Sequence, residues 1–371
     1  MKKTIKTFML LAAGITAFTA CGSLTGEDGG DQGGNGQGTD ELVLEISPKI
    51  IQANGTDAAK LTVLYNGTPV TEDVRLYDGD NSPVDLPDMS FSTEQSGEYT
   101  FWAAYGTLHT DPVTVTAIDF EVPELPADDD PENTAFAKKV LVTQFTGTGC
   151  GWCPGMITIL RNVMADEEYS SRMLLAAAHC YNPDDPAYIS ARLDQAMGVR
   201  GFPTVVADMY LSFSNYNNEA ALRNVIDTAY EREFARAGIS ASSSLDGNTL
   251  VVRASVKAAE TSEFRVGAWL LEDGINARQA NNGYAGDFNT HDNCIRIADS
   301  KVSNINFTGH SLGTVKAGET AEYAFVMTLE DDWVAENCHL ILFVTAPDGN
   351  TWSVTNAVPC GLNETVGYLY E

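Results

Sequence analysis

Basic side chains are scarce in this chain of 371 residues: 22 Lys and Arg stand against 51 Asp and Glu, a formal net charge of −29. A surface of that sign repels polyphosphate chains, which argues against nucleic acid as a partner. Histidine is scarcer still. His109, His291, His310 and His339 are dispersed, with no two at metal-ligand spacing on one helix, so neither a metal centre nor a cofactor is expected. No run beyond residue 20 is long and apolar enough to cross a bilayer. A Gly-rich phosphate loop is missing, as is any Ser-His-Asp order around a nucleophile elbow, so nucleotide and hydrolase chemistry lack support. What is present suffices for ordinary globular cores: 44% of residues are hydrophobic, and the length predicts two or three domains.

The first twenty residues carry Lys2, Lys3 and Lys6 and then an apolar stretch, 8–20, too short to span a bilayer; this pattern predicts a cleavable export signal. It ends Phe18-Thr19-Ala20-Cys21-Gly22, which resembles the lipobox of bacterial lipoproteins. The resemblance implies that Cys21 is acylated and becomes the mature N-terminus, anchoring the chain to a membrane through lipid. Residues 21–40, rich in Gly and acidic side chains, read as a flexible tether.

Three folded segments follow. Residues 41–119 alternate apolar and polar in short runs broken by turn residues, the pattern of a β-sandwich, and their strand texture resembles bacterial Ig-like repeats. Pro123, Pro126, Pro131 and the acidic run Asp128-Asp129-Asp130 make 120–133 a stiff, charged linker. Residues 134–238 then read β-α-β-α-β-α, an α/β domain. From 239 to 371 strand texture returns and predicts a second β-sandwich, interrupted by an Asn-rich stretch, 276–306, that is either a functional loop or a mobile one.

The residues that carry chemistry are Gly149-Cys150-Gly151-Trp152-Cys153-Pro154, placed between a strand and a helix. Two cysteines three apart at a helix start can close a small disulfide ring, and the free N–H groups there stabilise a thiolate. Cys150 is then the attacking sulfur, and Cys153, one turn into the helix and more buried, resolves the mixed disulfide. A zinc site would require a second such pair, which the chain lacks. Fifty residues on, Gly201-Phe202-Pro203-Thr204 lies between a helix and a strand.

Together these motifs resemble thioredoxin-like proteins. The resemblance implies a cis Pro203 facing the disulfide, with Trp152, Phe202 and Pro203 forming the platform for an extended client. Gln144 stands where such proteins bury an acid, which leaves His179 as the candidate proton relay. Leader, redox core and C-terminal β segment together resemble the outer-membrane-protein-twenty-eight-related lipoproteins of Bacteroides and Porphyromonas relatives, on Gly149 to Pro154, Gly201 to Thr204, and Thr290-His291-Asp292-Asn293 with Ile295-Arg296.

Four cysteines remain, Cys180, Cys294, Cys338 and Cys360, and in an exported chain they favour structural disulfides, with three pairings open. The expected protein is thus a multidomain cell-envelope lipoprotein of the outer membrane, periplasmic or surface-exposed. Its α/β thioredoxin-like domain is flanked by an N-terminal Ig-like β-sandwich and a C-terminal β-sandwich. It exchanges disulfides with thiols of exported proteins. The alternative is a surface binding or adhesion lipoprotein that holds a surface ligand and uses the same core only as a scaffold.

Overall fold

A computed structural model describes residues 41–189, 192–299 and 307–371. Cys21, the export signal and the tether lie outside the described residues, as does the end of the Asn-rich stretch. Among the described residues no helix is long and apolar enough to cross a membrane.

The N-terminal segment folds as two small sheets. Leu42–Ser47 pairs antiparallel with Ala59–Tyr65, which also holds Thr68–Val70 and Ser90–Phe91. The second sheet runs Ile50–Gln52, Val113–Ile118, Gly97–Tyr105, Val74–Asp78, Pro83–Val84. A period of two drives this: Leu44, Ile46, Leu61 and Val63 of one sheet meet Ile51, Phe101, Ala103 and Val115 of the other, while Glu45 and Lys60 between them face water. The charged linker that follows is tied down. Lys257 Nζ bonds Asp128 Oδ2 at 2.9 Å and the carbonyls of Asp130 and Pro131 at 3.3 and 2.5 Å.

The rest of the chain corrects the expected architecture. Among the described residues strands make up 46% and helices 13%, and there is no self-contained α/β thioredoxin-like domain between an Ig-like sandwich and a separate C-terminal β-sandwich. Instead one nine-stranded sheet crosses residue 238. Its order is Leu211–Phe213, Thr204–Ala207, Val140–Thr146, Met173–His179, Cys294–Asp299, Ser262–Glu272, Cys338–Asp348, Thr351–Gly361, with His310–Val315 also paired to Ser262–Glu272. The decisive junction is the parallel pairing of Ala177 with Cys294, where Ala177 N donates to Asn293 O at 2.7 Å. It turns what would be an exposed sheet edge into an interior position.

Val140–Thr146 is buried at every residue, its polar Thr143, Gln144 and Thr146 included, as a strand covered on both faces must be. On one face lie helices α1 (Cys153–Met164) and α4 (Glu219–Glu231), whose Met156, Leu160, Val163, Leu222 and Ile226 recur at helical spacing. Two shorter helices, α2 (Glu167–Arg172) and α3 (Leu193–Ala196), sit beside them in sequence. On the other face the sheet curls onto itself: Leu141, Phe145 and Ala178 share a core with Trp269, Ile341 and Phe343. The last strand returns to the ends of Thr204–Ala207 and Val140–Thr146, since Val354 N donates to Asp208 O at 3.0 Å and Lys139 N to Asn356 Oδ1 at 3.0 Å. A four-stranded sheet, Thr320–Thr328, Thr249–Ala258, Ala237–Asp246, Thr365–Val366, packs on the C-terminal half through Val252, Phe325, Leu270 and Leu342.

Candidate functional site

The strand Val140–Thr146 delivers the chain into a tight loop, 147–152, and α1 begins at Cys153 with Pro154 in its first turn. Pro costs little there because its missing N–H would have had no intrahelical partner. Cys150 and Cys153 form a disulfide with their Cα atoms 5.4 Å apart. Backbone turns set the spacing: Cys150 N donates to Gly147 O at 3.0 Å and Cys153 N to Cys150 O at 3.2 Å. The positive end of α1 therefore faces the sulfurs and favours a thiolate on reduction.

Both cysteines are buried, Cys150 at 2% exposure and Cys153 at 0%. The expected difference in burial between Cys150 and Cys153 is thus small, and a segment far away in the chain packs on their loop. Residues 277–289, part of the Asn-rich stretch, lie over the loop. Ala280 N donates to Thr148 O at 2.7 Å, Asn282 N to Gly151 O at 3.0 Å, and Gln279 Nε2 to Cys150 O at 2.9 Å and Gly147 O at 3.2 Å. On the other side Gly149 N donates to Asn182 Oδ1 at 2.9 Å. The loop is held so closely that a Cβ on Gly151 would meet Asn282 Oδ1 at 2.6 Å, and one on Gly149 would meet Asn182 Oδ1 at 2.9 Å.

Aromatic rings surround this end of the sheet. Trp152 is 51% exposed with its ring centroid 6.1 Å from that of Tyr216, and Tyr181, 49% exposed, stands edge-on to Phe202 at 5.4 Å. The Phe202–Pro203 peptide is cis, and Pro203 leads into the strand Thr204–Ala207, whose Thr204 pairs with Phe145.

His179 sits at the end of Met173–His179, opposite Thr146 and 2% exposed. Neither of its ring nitrogens is given to the disulfide: Nδ1 lies 2.8 Å from Asp185 Oδ2 and Nε2 3.5 Å from Cys294 Sγ. The geometry links His179 to Cys294, away from the relay role expected of it. Asp185 is pinned as an anion. Burial works against its charge, but hydrogen bonds from His179, Thr148 N and Ala187 N outweigh it and hold the carboxyl down at about pKa 2.

The four remaining cysteines correct the expectation of structural disulfides, for Cys180, Cys294, Cys338 and Cys360 are all free thiols. Register explains part of this. Cys294 and Cys338 are both partners of Glu272, one on each side, which puts them two strand spacings apart, about 9–10 Å and beyond disulfide reach. Cys360 pairs with Leu340, two residues along from Cys338. Burial pushes the Cys180 and Cys338 thiols up to about 12 and Cys360 to about 11, so they are protonated and inert. Among the described residues no cluster of His, Cys, Asp and Glu is arranged to hold a metal ion.

Sequence reasoning missed Gln279, Asn282, Asn182 and Asp185. The Asn-rich stretch marked the first two only as a loop, and nothing in the local pattern marked the others.

Residues 190–365 match the family of outer membrane protein Omp28. That match agrees with the outer-membrane localisation expected from the lipobox and the family resemblance together. HBP35 of Porphyromonas gingivalis shares the fold: its structure is similar with a TM-score of 0.51 at 21% identity, over 62% of this chain and 77% of that one. A domain of the outer membrane lipoprotein Omp28 from Porphyromonas gingivalis aligns over 35% of this chain and 91% of its own length, at 22% identity and a TM-score of 0.24, too low to argue from. No curated protein matches the chain significantly.

Proposed function

We propose that this chain is an outer-membrane lipoprotein, anchored through Cys21, whose Cys150–Cys153 disulfide exchanges with thiols of exported proteins. The observation that carries the reading is the disulfide itself, closed across the start of α1 where the helix dipole stabilises the thiolate released on reduction. A client thiolate attacks one sulfur of the pair, the mixed disulfide forms, and the second sulfur leaves as a thiolate; the reverse sequence reduces a client. Trp152, Phe202 and Tyr181 offer a rim of apolar rings to an extended chain, and Pro203 fixes the backbone beside it. Because residues 277–289 cover the sulfurs, exchange requires that segment to move.

The burial of both sulfurs favours one other reading, in which the bond is a staple and the chain binds a surface ligand through its β-rich modules. One measurement separates them: equilibration of the full chain in glutathione buffers, read by alkylation and mass spectrometry. A potential between about −120 and −270 mV supports exchange, whereas one below about −300 mV makes the bond structural. Cys150→Ser abolishes reduction of insulin by the chain under the first reading.

A further inference from the structure

Alternation along two paired strands puts Gln144 and Thr146 of Val140–Thr146, and Leu175 and Ala177 of Met173–His179, on the sheet face that α1 covers. Between them and the helix lies a cavity of about 180 Å³, which His291 also lines. Ile157, Leu160 and Met164 of α1 and Leu175 of the sheet make one side apolar, and Gln144, Thr146 and His291 make another polar. The size is that of a small ring, since a space of about 150 Å³ holds a six-membered one.

The polar side is short of partners. Gln144 is 5% exposed, its amide has no hydrogen-bond partner among the described residues, and Thr146 Oγ1 has none either. A half-turn of that amide presents either its oxygen or its NH2 to the cavity. His291, also 5% exposed, has Nε2 3.1 Å from the carbonyl oxygen of Ala277, which can only accept. Nε2 therefore carries the proton, and Nδ1 keeps a lone pair with no protein partner among the described residues. Burial, reinforced by the His179 ring 5.1 Å away, pushes His291 below its ordinary pKa and keeps the ring neutral. Unused donors and acceptors on buried side chains are costly, so their gathering at one cavity points to an occupant. Water alone satisfies the polar side and leaves the apolar side wet, whereas a molecule with a polar edge and an apolar body satisfies both. Arg161 and Asp292, the exposed charged residues of the lining, stand in water, so nothing inside pairs with a charged ligand.

We propose that this cavity is a binding site for an uncharged, ring-sized molecule whose edge carries an N–H beside a carbonyl oxygen, a small cyclic amide being the simplest case. Its N–H donates to His291 Nδ1, and its oxygen accepts from the Gln144 amide or the Thr146 hydroxyl. Its ring carbons lie against Leu160, Met164 and Leu175. The site does not depend on the redox state of Cys150 and Cys153, neither of which lines the cavity.

The test uses the full chain with its disulfide intact and δ-valerolactam as the probe, with binding read by saturation-transfer NMR and titration. The lactam is expected to bind, its N-methyl derivative about tenfold more weakly because it lacks the N–H, and valerate not at all. Gln144→Leu removes the amide without taking a partner from any protein group, so the melting temperature holds while lactam affinity falls about tenfold. Ala177→Leu fills the floor of the cavity and abolishes binding. The comparison of the three probes on the unmutated chain decides even if a variant fails to fold. No binding of the lactam, equal binding of its N-methyl derivative, or an affinity unchanged in a folded Gln144→Leu or Ala177→Leu chain overturns the proposal and leaves the cavity to water.

Discussion

Gln279 Nε2 donates to the carbonyl oxygen of Cys150 at 2.9 Å across 129 residues of sequence, and the same amide reaches Gly147 O at 3.2 Å. One buried side chain therefore ties a C-terminal loop to the redox loop. Gln279→Ala takes one donor from each of two carbonyls that keep their backbone donors, Cys150 N and Cys153 N, at a cost of about 0.5–1.5 kcal/mol, and loosens the cover over the disulfide. The expected result is faster reduction of Cys150–Cys153 by a phosphine reductant, by about tenfold, measured by timed alkylation and mass spectrometry. An unchanged rate means that 277–289 does not gate the sulfurs.

Gly151 tests the same contact from the other side. A Cβ there meets the Asn282 amide at 2.6 Å, closer than side chains tolerate, and Asn282 is bonded through its own N–H to Gly151 O. Gly151→Ala is expected to displace the loop and speed reduction as Gln279→Ala does, with little change in melting temperature. The two changes together add less than their separate effects, because they release one contact.

Asp185 gives the fold an acid-sensitive element. Its folded pKa lies at about 2, below the roughly 3.9 of an unfolded aspartate, so its contribution is complete above about pH 4 and fades as pH falls toward 2. Asp185→Asn is expected to cost about 2 kcal/mol at pH 7, and the gap to the unmutated chain narrows between pH 4 and 2. Guanidinium unfolding at pH 7 and pH 3 measures this directly. A gap that stays constant with pH assigns the loss to packing alone.

Lys257 is 2% exposed at its side chain and holds the linker through Asp128, Asp130 O, Pro131 O and the Tyr370 hydroxyl at 3.1 Å. Burial opposes its charge, but these partners raise its pKa overall. Lys257→Met leaves Asp128 without its cation and is expected to cost about 3–5 kcal/mol and to open 120–133 to proteolysis. Adding Asp128→Asn recovers part of the loss. Thermal melts and limited digestion read both effects.

The redox motif was legible because its chemistry is local: cysteines three apart between a strand and a helix, and a Phe-Pro pair before the next strand, are visible in a window of a few residues. The strand Val140–Thr146 declared itself by its apolar Val140-Leu141-Val142 and Phe145 for the same reason. What covers the disulfide was not legible, since the donor on Gln279 carries no signal until the chain brings it 129 residues back. The free thiols were misread because compartment and count suggest pairing, whereas register decides it, and Glu272 stands between Cys294 and Cys338. The separate α/β domain failed on a single junction. Periodicity reveals that Met173–His179 is a strand and says nothing about which strand lies on its outer edge.

That junction can be tested by truncation. A fragment of residues 134–238 keeps every element of the expected α/β domain. It loses the strand that pairs with Ala177 and the half of the core made by Trp269, Ile341 and Phe343 against Leu141, Phe145 and Ala178. Those side chains are fully or nearly fully buried, and exposing their partners removes roughly 1.5–3 kcal/mol of burial for each large residue, several times over. A small domain has no such reserve, since net stability is only about 5–15 kcal/mol. The 134–238 fragment is therefore expected to aggregate or to bind a hydrophobic dye without near-ultraviolet ellipticity, while 120–371, which keeps the partners of Lys257, folds cooperatively. A monomeric, cooperatively melting 134–238 fragment would show that the α/β segment is complete without its C-terminal strands, and the nine-stranded sheet would then be an association of two finished domains.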